Sequence, residues 1–318
     1  MQDLSGQIAN LALVLLVFYA GSVVAHLVAR RANLRHYVIG ALALLSGALA
    51  ISGLSSLLLA DALQRQAAAL LLVIAALTAL ALTYPVRVFL ARFTPLDPDS
   101  LVDLFGLITL LWALTIGLVS LFTVDLDAIG DQLQITVTDS LVNVVIYVGI
   151  AFALVGLWVV RGPREAARRL GLVRPAWRQA ALAVALVVPM LLLSTGIDAL
   201  GRLVQPERYA QLERVLNAMG SNVTNPAIAL LLGVTAGIGE ELLFRGAIQP
   251  RFGIVLTTLF FGVAHTQYGP SFALLGVLVL GTTFALERRY MNTTTAIITH
   301  GLYDATAFLI SYFAGGSS

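Results

Sequence analysis

The chain has 318 residues, of which 59% are hydrophobic and only 11% are charged, and its mean hydropathy is +0.91. A soluble globular protein carries about 25% charged residues because its surface faces water. The composition therefore excludes a soluble enzyme and a disordered chain, and it predicts a polytopic membrane protein. The 19 basic residues are all arginines and are set against 17 acids. They form no clustered basic stripe, which excludes a nucleic-acid partner. Zero cysteines exclude disulfides and thiolate chemistry.

Ten apolar segments follow one another along the chain. A membrane-spanning helix needs about 20 mostly apolar residues, and lipid permits only helices or closed barrels as spanning structures. We therefore predict an all-α membrane helix bundle of about ten transmembrane helices, with eight or nine also compatible because the eighth segment is short. The predicted spans lie at about 8–28, 37–60, 67–90, 103–124, 141–160, 180–200, 226–247, 252–267, 271–287 and 292–313.

The arginines orient these spans and divide the chain. In a ten-span arrangement most arginines flank one membrane face, which the positive-inside rule makes cytoplasmic. Residues 161–178 form a basic linker that contains Pro163 and Pro175. We predict a five-span N-terminal module of unknown role at 1–160, this linker as a cytoplasmic segment, and a second five-span module at 179–318. An integral protein of a bacterial inner membrane is the expected location.

Six ionisable side chains interrupt the apolar segments of the C-terminal half. A charge near the centre of a span costs about 2.5–3.5 kcal/mol, and that cost falls only if the six side chains meet one another. With a turn near 250–253, Glu240 and His265 lie roughly 16 and 20 Å from the same membrane face, and His300 lies roughly 16 Å from it. This common depth predicts one cluster. The six are Glu240, Glu241, Arg245, His265, His300 and Asp304.

Spacing within each helix suggests separate roles for these residues. Adjacent helical residues point about 100° apart, so we predict that Glu240 faces the site while Glu241 does not. Glu241 and Arg245 are an i,i+4 pair, and we expect them to form a salt bridge that props the helix and neutralises both charges. Asp304 lies one turn after His300 and either ligates a metal or hydrogen-bonds a ring nitrogen of that histidine.

Three motifs in this half, taken in order, resemble the motif series of the CPBP family. That family comprises type II CAAX prenyl proteases and bacteriocin-processing or bacteriocin-immunity proteins, also called ABI proteins. The resemblance covers about residues 175–313 and implies a CPBP-like intramembrane protease domain at 179–318. One position departs from the pattern, since the last motif commonly ends in Asn. The motifs are Glu240-Glu241-x-x-x-Arg245, Phe261-x-x-x-His265 and His300-x-x-x-Asp304.

The resemblance implies cleavage of a peptide bond in a membrane-embedded or lipidated protein or peptide. Glu240 would activate a water as general base, while His265 and His300 stabilise the oxyanion or hold the water. Phe261, one turn before His265, would wall the pocket. In the metal-dependent alternative, Glu240, His265 and His300 are three ligands of a zinc ion with water as the fourth. The lack of an HExxH pair favours the glutamate chemistry without a cofactor.

Two other functions stay open on the residues. A polytopic transporter or proton relay would use the same glutamate and histidines as a proton pathway, and Glu240→Gln would then abolish a pH-dependent flux while no peptide is cut. A non-catalytic immunity or scaffold protein would bind a membrane partner, and Glu240→Ala would leave its phenotype intact.

Overall fold

The computed structural model describes residues 4–59, 62–132 and 136–315. Helices make up nearly all of these residues, and the described ranges contain no β-strand, so the all-α prediction is confirmed. The predicted module ends at residues 1 and 318 lie outside the described residues. The N-terminal helices are α1 (Leu4–Ala29), α2 (Arg35–Leu59), α3 (Ala62–Leu82), α4 (Tyr84–Leu90), α5 (Leu101–Thr123), α6 (Leu126–Gln132) and α7 (Val137–Leu154).

The C-terminal half contains both long helices and short irregular ones. A π-helix, Leu242–Ile248, joins the eleventh and twelfth α-helices, and a 3₁₀ turn, Thr266–Tyr268, lies between the twelfth and the thirteenth. The α-helices are α8 (Pro163–Arg169), α9 (Trp177–Val204), α10 (Pro206–Gly220), α11 (Pro226–Glu241), α12 (Gln249–Val263), α13 (Phe272–Tyr290) and α14 (Thr293–Gly315).

Seven helices of the described residues, not ten, are long and apolar enough to cross a membrane. The first six correspond to the first six predicted spans, and the seventh, Pro226–Val263, joins the predicted seventh and eighth spans. The predicted ninth and tenth spans are present as α13 and α14, but they do not qualify. Glu287, Arg288 and Arg289 at the end of α13, and the polar residues along α14, interrupt their apolar character.

The helical run Pro226–Val263 reverses direction at Gly253. This glycine has φ 77° and ψ 178°, a conformation that is essentially confined to glycine. The rings of Phe244 and Phe260 are 5.3 Å apart between centroids, whereas a straight helix would separate these residues by about 24 Å. The turn predicted at 250–253 is therefore confirmed. The helix after it, residues 254–263, is only about 15 Å long, about half the thickness of the hydrocarbon core of a bilayer.

Helices α11 and α14 approach each other backbone to backbone. A Cβ atom on Gly233 would lie 2.4 Å from the backbone nitrogen of Ala305, and one on Gly237 would lie 2.7 Å from that of Gly301. Gly233 and Gly237 form the small-x-x-x-small spacing that lets membrane helices pack closely. The close approach brings the C-terminal end of α11, which carries both glutamates, next to His300 on α14.

This contact predicts that Gly237→Ala destabilises the protein. The added methyl group meets the Gly301 backbone, which cannot move aside as a flexible side chain would. We expect the free energy of unfolding to fall by about 1–3 kcal/mol, measured by thermal unfolding in detergent. Gly196→Ala on α9 is the matched control, because a Cβ there meets nothing within 4 Å. Equal losses in the two variants would contradict the close-packing argument.

The N-terminal helices pack directly on the C-terminal half. One hydrophobic core cluster joins residues of α5, such as Leu104 and Leu107, to Phe244 and Phe252. A salt bridge between Asp103 on α5 and Arg251 on α12 links the two halves beside the Gly253 turn. Helix α7 runs along α11, and it is through α7 that the N-terminal half reaches the candidate site.

Candidate active site

A cavity of about 910 Å³ lies among α7, α9, α11, α13 and α14. Four of the predicted site residues line its wall together with Phe261, whereas Glu241 and Arg245 do not reach it. Glu241 and Arg245 are fully buried, each with 0% of the side chain exposed. The structure therefore brings the predicted cluster together, with four members at the cavity wall and two fully buried behind it. The four lining residues are Glu240, His265, His300 and Asp304.

Glu240 and His265 face each other across this cavity. Oε2 of Glu240 is 3.8 Å from Nε2 of His265, and the Glu240 side chain is 20% exposed. Nδ1 of His265 lies 2.7 Å from the carbonyl oxygen of Phe261. A carbonyl only accepts, so Nδ1 carries the hydrogen and Nε2 of the neutral ring is an acceptor. Oε2 of Glu240 is buried, and no group of the described chain hydrogen-bonds it, whereas the Glu240 residue itself lines the cavity.

His300 lies between two carboxylates. Its Nδ1 is 2.8 Å from Oε1 of Glu241, and its Nε2 is 3.3 Å from Oδ2 of Asp304. The carboxylates accept, so the ring donates from both nitrogens in its imidazolium form. Asp304 thus takes the second of its two predicted roles, hydrogen-bonding a ring nitrogen. This pairing places a cationic ring at the cavity wall, where it can stabilise developing negative charge.

The predicted salt bridge between Glu241 and Arg245 is present behind this ring. Nη1 of Arg245 is 3.0 Å from Oε1 of Glu241, and its Nη2 donates to the carbonyl of Gly281 at 2.8 Å. The guanidinium lies over the Phe261 ring, 4.2 Å from its centroid. Because Glu241 also accepts from His300, the pair orients the histidine as well as the helix, a link that the i,i+4 argument did not anticipate.

Aromatic rings line the cavity around the two histidines. Phe261 lines the cavity, as predicted, and contacts His265 with ring centroids 4.6 Å apart. Phe284 on α13 stacks on His300 at 4.5 Å with an interplanar angle of 13°, and Phe244 packs against Phe261. Phe244 stands at an unspecified position of the first motif and Phe284 lies outside the motifs, and the sequence analysis missed both. No local spacing relates Phe284 to His300, since only the packing of α13 on α14 brings them together.

Three tyrosines also line the cavity, and the sequence analysis missed all of them. Tyr268 stacks on His265 with centroids 6.1 Å apart, and Tyr303 donates to Ser194 at 2.9 Å. Tyr147 comes from α7, and its Cδ2 lies 3.2 Å from the position that a Cβ would take on Gly239, next to Glu240. Tyr303 precedes Asp304 and Tyr268 follows His265 by three residues, so their closeness to a motif in the sequence could have indicated that they belong to the site. Tyr147 lies far from every motif, and nothing in the sequence indicated its place in the site.

The predicted zinc ligands do not form a three-ligand site. Across residues 4–59, 62–132 and 136–315, no group of three His, Asp or Glu side chains is arranged to hold a metal ion. Both ring nitrogens of His300 face carboxylate oxygens, so this ring presents no free lone pair to a metal. The set Glu240, His265 and His300 therefore does not fit a zinc ion, and no step of the chemistry proposed below passes through one.

Residues 222–306 match the family of Rce1-like type II CAAX prenyl endopeptidases. This segment of the chain is similar to that family. The resemblance drawn from the three motifs is thus confirmed, and every predicted site residue falls inside the matched segment. The parts of the resemblance at about 175–221 and 307–313 lie outside the match. Comparison with curated proteins and with solved structures returns no match. The CAAX-protease segment is part of a polytopic helical membrane protein.

Proposed function

We propose that the protein is an intramembrane endopeptidase in which Glu240 activates the attacking water. One observation carries the proposal: Glu240 lines a cavity beside His265, within the segment that matches the CAAX-protease family, and no group of the described chain hydrogen-bonds its Oε2. The substrate is a membrane-embedded or lipidated protein or peptide, and the enzyme resides in a bacterial inner membrane. The glutamate mechanism fits the donor arrangement better than the zinc mechanism.

The reaction uses one proton that Glu240 takes and returns. Glu240 removes a proton from water while the water oxygen attacks the peptide carbonyl carbon, and His265 Nε2 accepts the second hydrogen bond of that water. The carbonyl electron pair moves to oxygen, and the imidazolium of His300 stabilises the oxyanion. Protonated Glu240 then donates to the amide nitrogen, the C–N bond breaks, and the products are a carboxylic acid and an amine.

The lining of the cavity supports a protease over a proton relay. A relay requires titratable groups that continue from one membrane face to the other. Three aromatic rings line the cavity together with His300, those of Phe244, Phe261 and Phe284, and these residues are 3%, 2% and 1% exposed. Such an apolar lining suits a substrate pocket, because it helps to exclude water from the reacting centre.

The first test compares cleavage products across the membrane proteome. Cells would express wild type, Glu240→Ala or Glu207→Ala at matched levels, and new peptide termini would be identified by mass spectrometry. Glu207 is an exposed carboxylate on α10, so its variant controls for loss of a negative charge. We expect termini that appear with wild type and Glu207→Ala and are absent with Glu240→Ala.

No Glu240-dependent termini, with all three proteins folded and abundant, would overturn the endopeptidase proposal. A pH-dependent flux that Glu240→Gln abolishes would then favour the transporter function. A phenotype that survives Glu240→Ala would favour the scaffold function.

A further inference from the structure

Two arginines at the predicted cytoplasmic face converge on the π-helix behind the candidate active site. Nη1 of Arg169, the last residue of α8, donates to the carbonyl oxygen of Gly246 at 3.3 Å. Nε of Arg288, near the end of α13, donates to the preceding carbonyl, that of Arg245, at 3.2 Å. A Cβ on Gly171, two residues after Arg169, would lie 2.9 Å from Cζ of Arg288. The two guanidinium groups are therefore close neighbours on one short stretch of backbone.

The protein does not neutralise either guanidinium. Each group has five N–H donors, and within the described chain Arg169 and Arg288 each make one hydrogen bond and no salt bridge. Glu287, next to Arg288 in the sequence, is buried and accepts from Thr299 instead. Both arginines are half-buried, so this pair offers several N–H donors to an anion from outside the chain.

Further arginines surround this pair, and two nearby carboxylates already have partners. Asp103 forms a salt bridge with Arg251, and Glu165 lies 3.9 Å from Arg161. Burial and the charges of Arg251 and Arg161 lower the pKa of Arg169 to about 10. Its guanidinium thus stays protonated at neutral pH while its cationic neighbours repel it. An anion relieves such repulsion, and a phosphate matches the planar guanidinium fork with two parallel hydrogen bonds.

Exposed aromatic rings indicate the depth of this pair in the membrane. Trp158, Trp177 and Tyr290 are largely exposed, and they flank the segments that carry the two arginines. Tryptophan and tyrosine are enriched at the level of the lipid headgroups. The acidic lipids of a cytoplasmic leaflet present their phosphates at that level and attract arginines there. A lipid phosphate is therefore the anion that lies within reach of the pair.

We propose that Arg169 and Arg288 form a binding site for the phosphate of an acidic membrane lipid. Both guanidiniums rest on the backbone at Arg245 and Gly246, so a bound lipid stabilises the π-helix whose Arg245 side chain supports Glu241. The lipid site is independent of the endopeptidase function, and its test requires no cleavage.

Lipid-dependent stability of the purified full-length protein provides the first test. Thermal unfolding in a neutral detergent would be followed with added dioctanoyl phosphatidylglycerol, dioctanoyl phosphatidylcholine or inorganic phosphate at equal concentrations. We expect phosphatidylglycerol to raise the Tm of wild type and the other two to leave it nearly unchanged. A shift of the same size with phosphatidylcholine or inorganic phosphate would overturn the assignment to an acidic lipid. Absence of any shift would overturn the site itself.

Variants test whether the effect belongs to the two arginines. Arg169→Gln and Arg288→Gln should each weaken the apparent affinity for phosphatidylglycerol, read from the concentration dependence of Tm, by about fivefold. The double variant should weaken it by about tenfold or more. Arg208→Gln is the matched control, because Arg208 is also half-buried but lies on α10, beyond the far end of the 28-residue helix α9. It should keep the wild-type affinity.

A charge-preserving variant separates lipid binding from folding. Arg169→Lys/Arg288→Lys keeps both charges but loses the planar forks that match a phosphate, so we expect a smaller loss of affinity than in the double glutamine variant. Native mass spectrometry counts the phosphatidylglycerol molecules that stay bound, and this count does not depend on the basal Tm. Lipid retention equal to wild type in both double variants would overturn the proposal.

Discussion

Replacing Glu240 with Gln will lower the rate of peptide-bond cleavage by about 10²–10⁴-fold, because general acid–base catalysis by a positioned carboxylate contributes on that scale. The amide keeps the size of the side chain but neither accepts a proton from water nor returns it to the leaving nitrogen. The measurement is kcat on a peptide that spans a mapped cut, with purified protein. Glu207→Gln, the same change at an exposed position on α10, should keep the wild-type rate.

Pairwise variants test whether Glu240 acts as a unit with the histidines. We expect His265→Ala and His300→Ala to cause losses of similar size, and each combined with Glu240→Gln to lose little more than the worse single variant. Such non-additivity follows if the same water and oxyanion are served by all three side chains. Losses that multiply in the double variants would show that the residues act independently, and the proposed mechanism would then be wrong.

The second large effect concerns stability rather than rate. Arg245→Ala should lower the free energy of unfolding by about 3–5 kcal/mol, because it leaves the fully buried Glu241 without its cationic partner. It also removes the hydrogen bond to the Gly281 carbonyl and the guanidinium stacked on Phe261. Thermal and denaturant unfolding in detergent measure the loss. Arg289→Ala, at an exposed arginine on α13, should change stability by less than about 0.5 kcal/mol.

A double variant separates the buried charge from the lost packing. In Glu241→Gln/Arg245→Met neither of the two positions carries a charge, and the amide oxygen still accepts from His300. Replacing a buried ion pair by uncharged groups of similar volume is often neutral or stabilising, so we expect this variant to recover most of the stability lost in Arg245→Ala. An Arg245→Ala protein that melts like wild type would rule out the propping role of the salt bridge.

The apolar composition sufficed to predict a helical membrane protein. Hydropathy fixes this class because lipid leaves few alternatives for the backbone. The clustering of the candidate site residues was also predicted from the chain, since a rise of 1.5 Å per residue converts distance from a turn into an expected distance from a membrane face, and the structure brings these residues to one cavity. That arithmetic brought Glu240, His265 and His300 to one level before any packing was known.

The hydropathy pattern predicted about ten spans, whereas seven helices of the described residues are long and apolar enough to cross a membrane. Hydropathy registers residues 252–267 as an apolar segment, but it does not show that the chain reverses at Gly253 and continues as a half-length helix. The positive φ of a single glycine and the packing of Phe244 on Phe260 decide that geometry. A short apolar helix buried against its neighbours and a true span have similar local composition.

The spacing of residues within one helix did not predict which side chains of different helices contact each other. The i,i+4 pattern linked Glu241 to Arg245 within one helix, but it carried no information that Glu241 also bonds His300 on another. That contact depends on Gly233 and Gly237, which let α11 and α14 approach backbone to backbone. Likewise Tyr147 of α7 reaches the cavity only because α7 packs on α11. Periodicity determines which side chains share a helix face, whereas the close packing of several helices determines which faces meet.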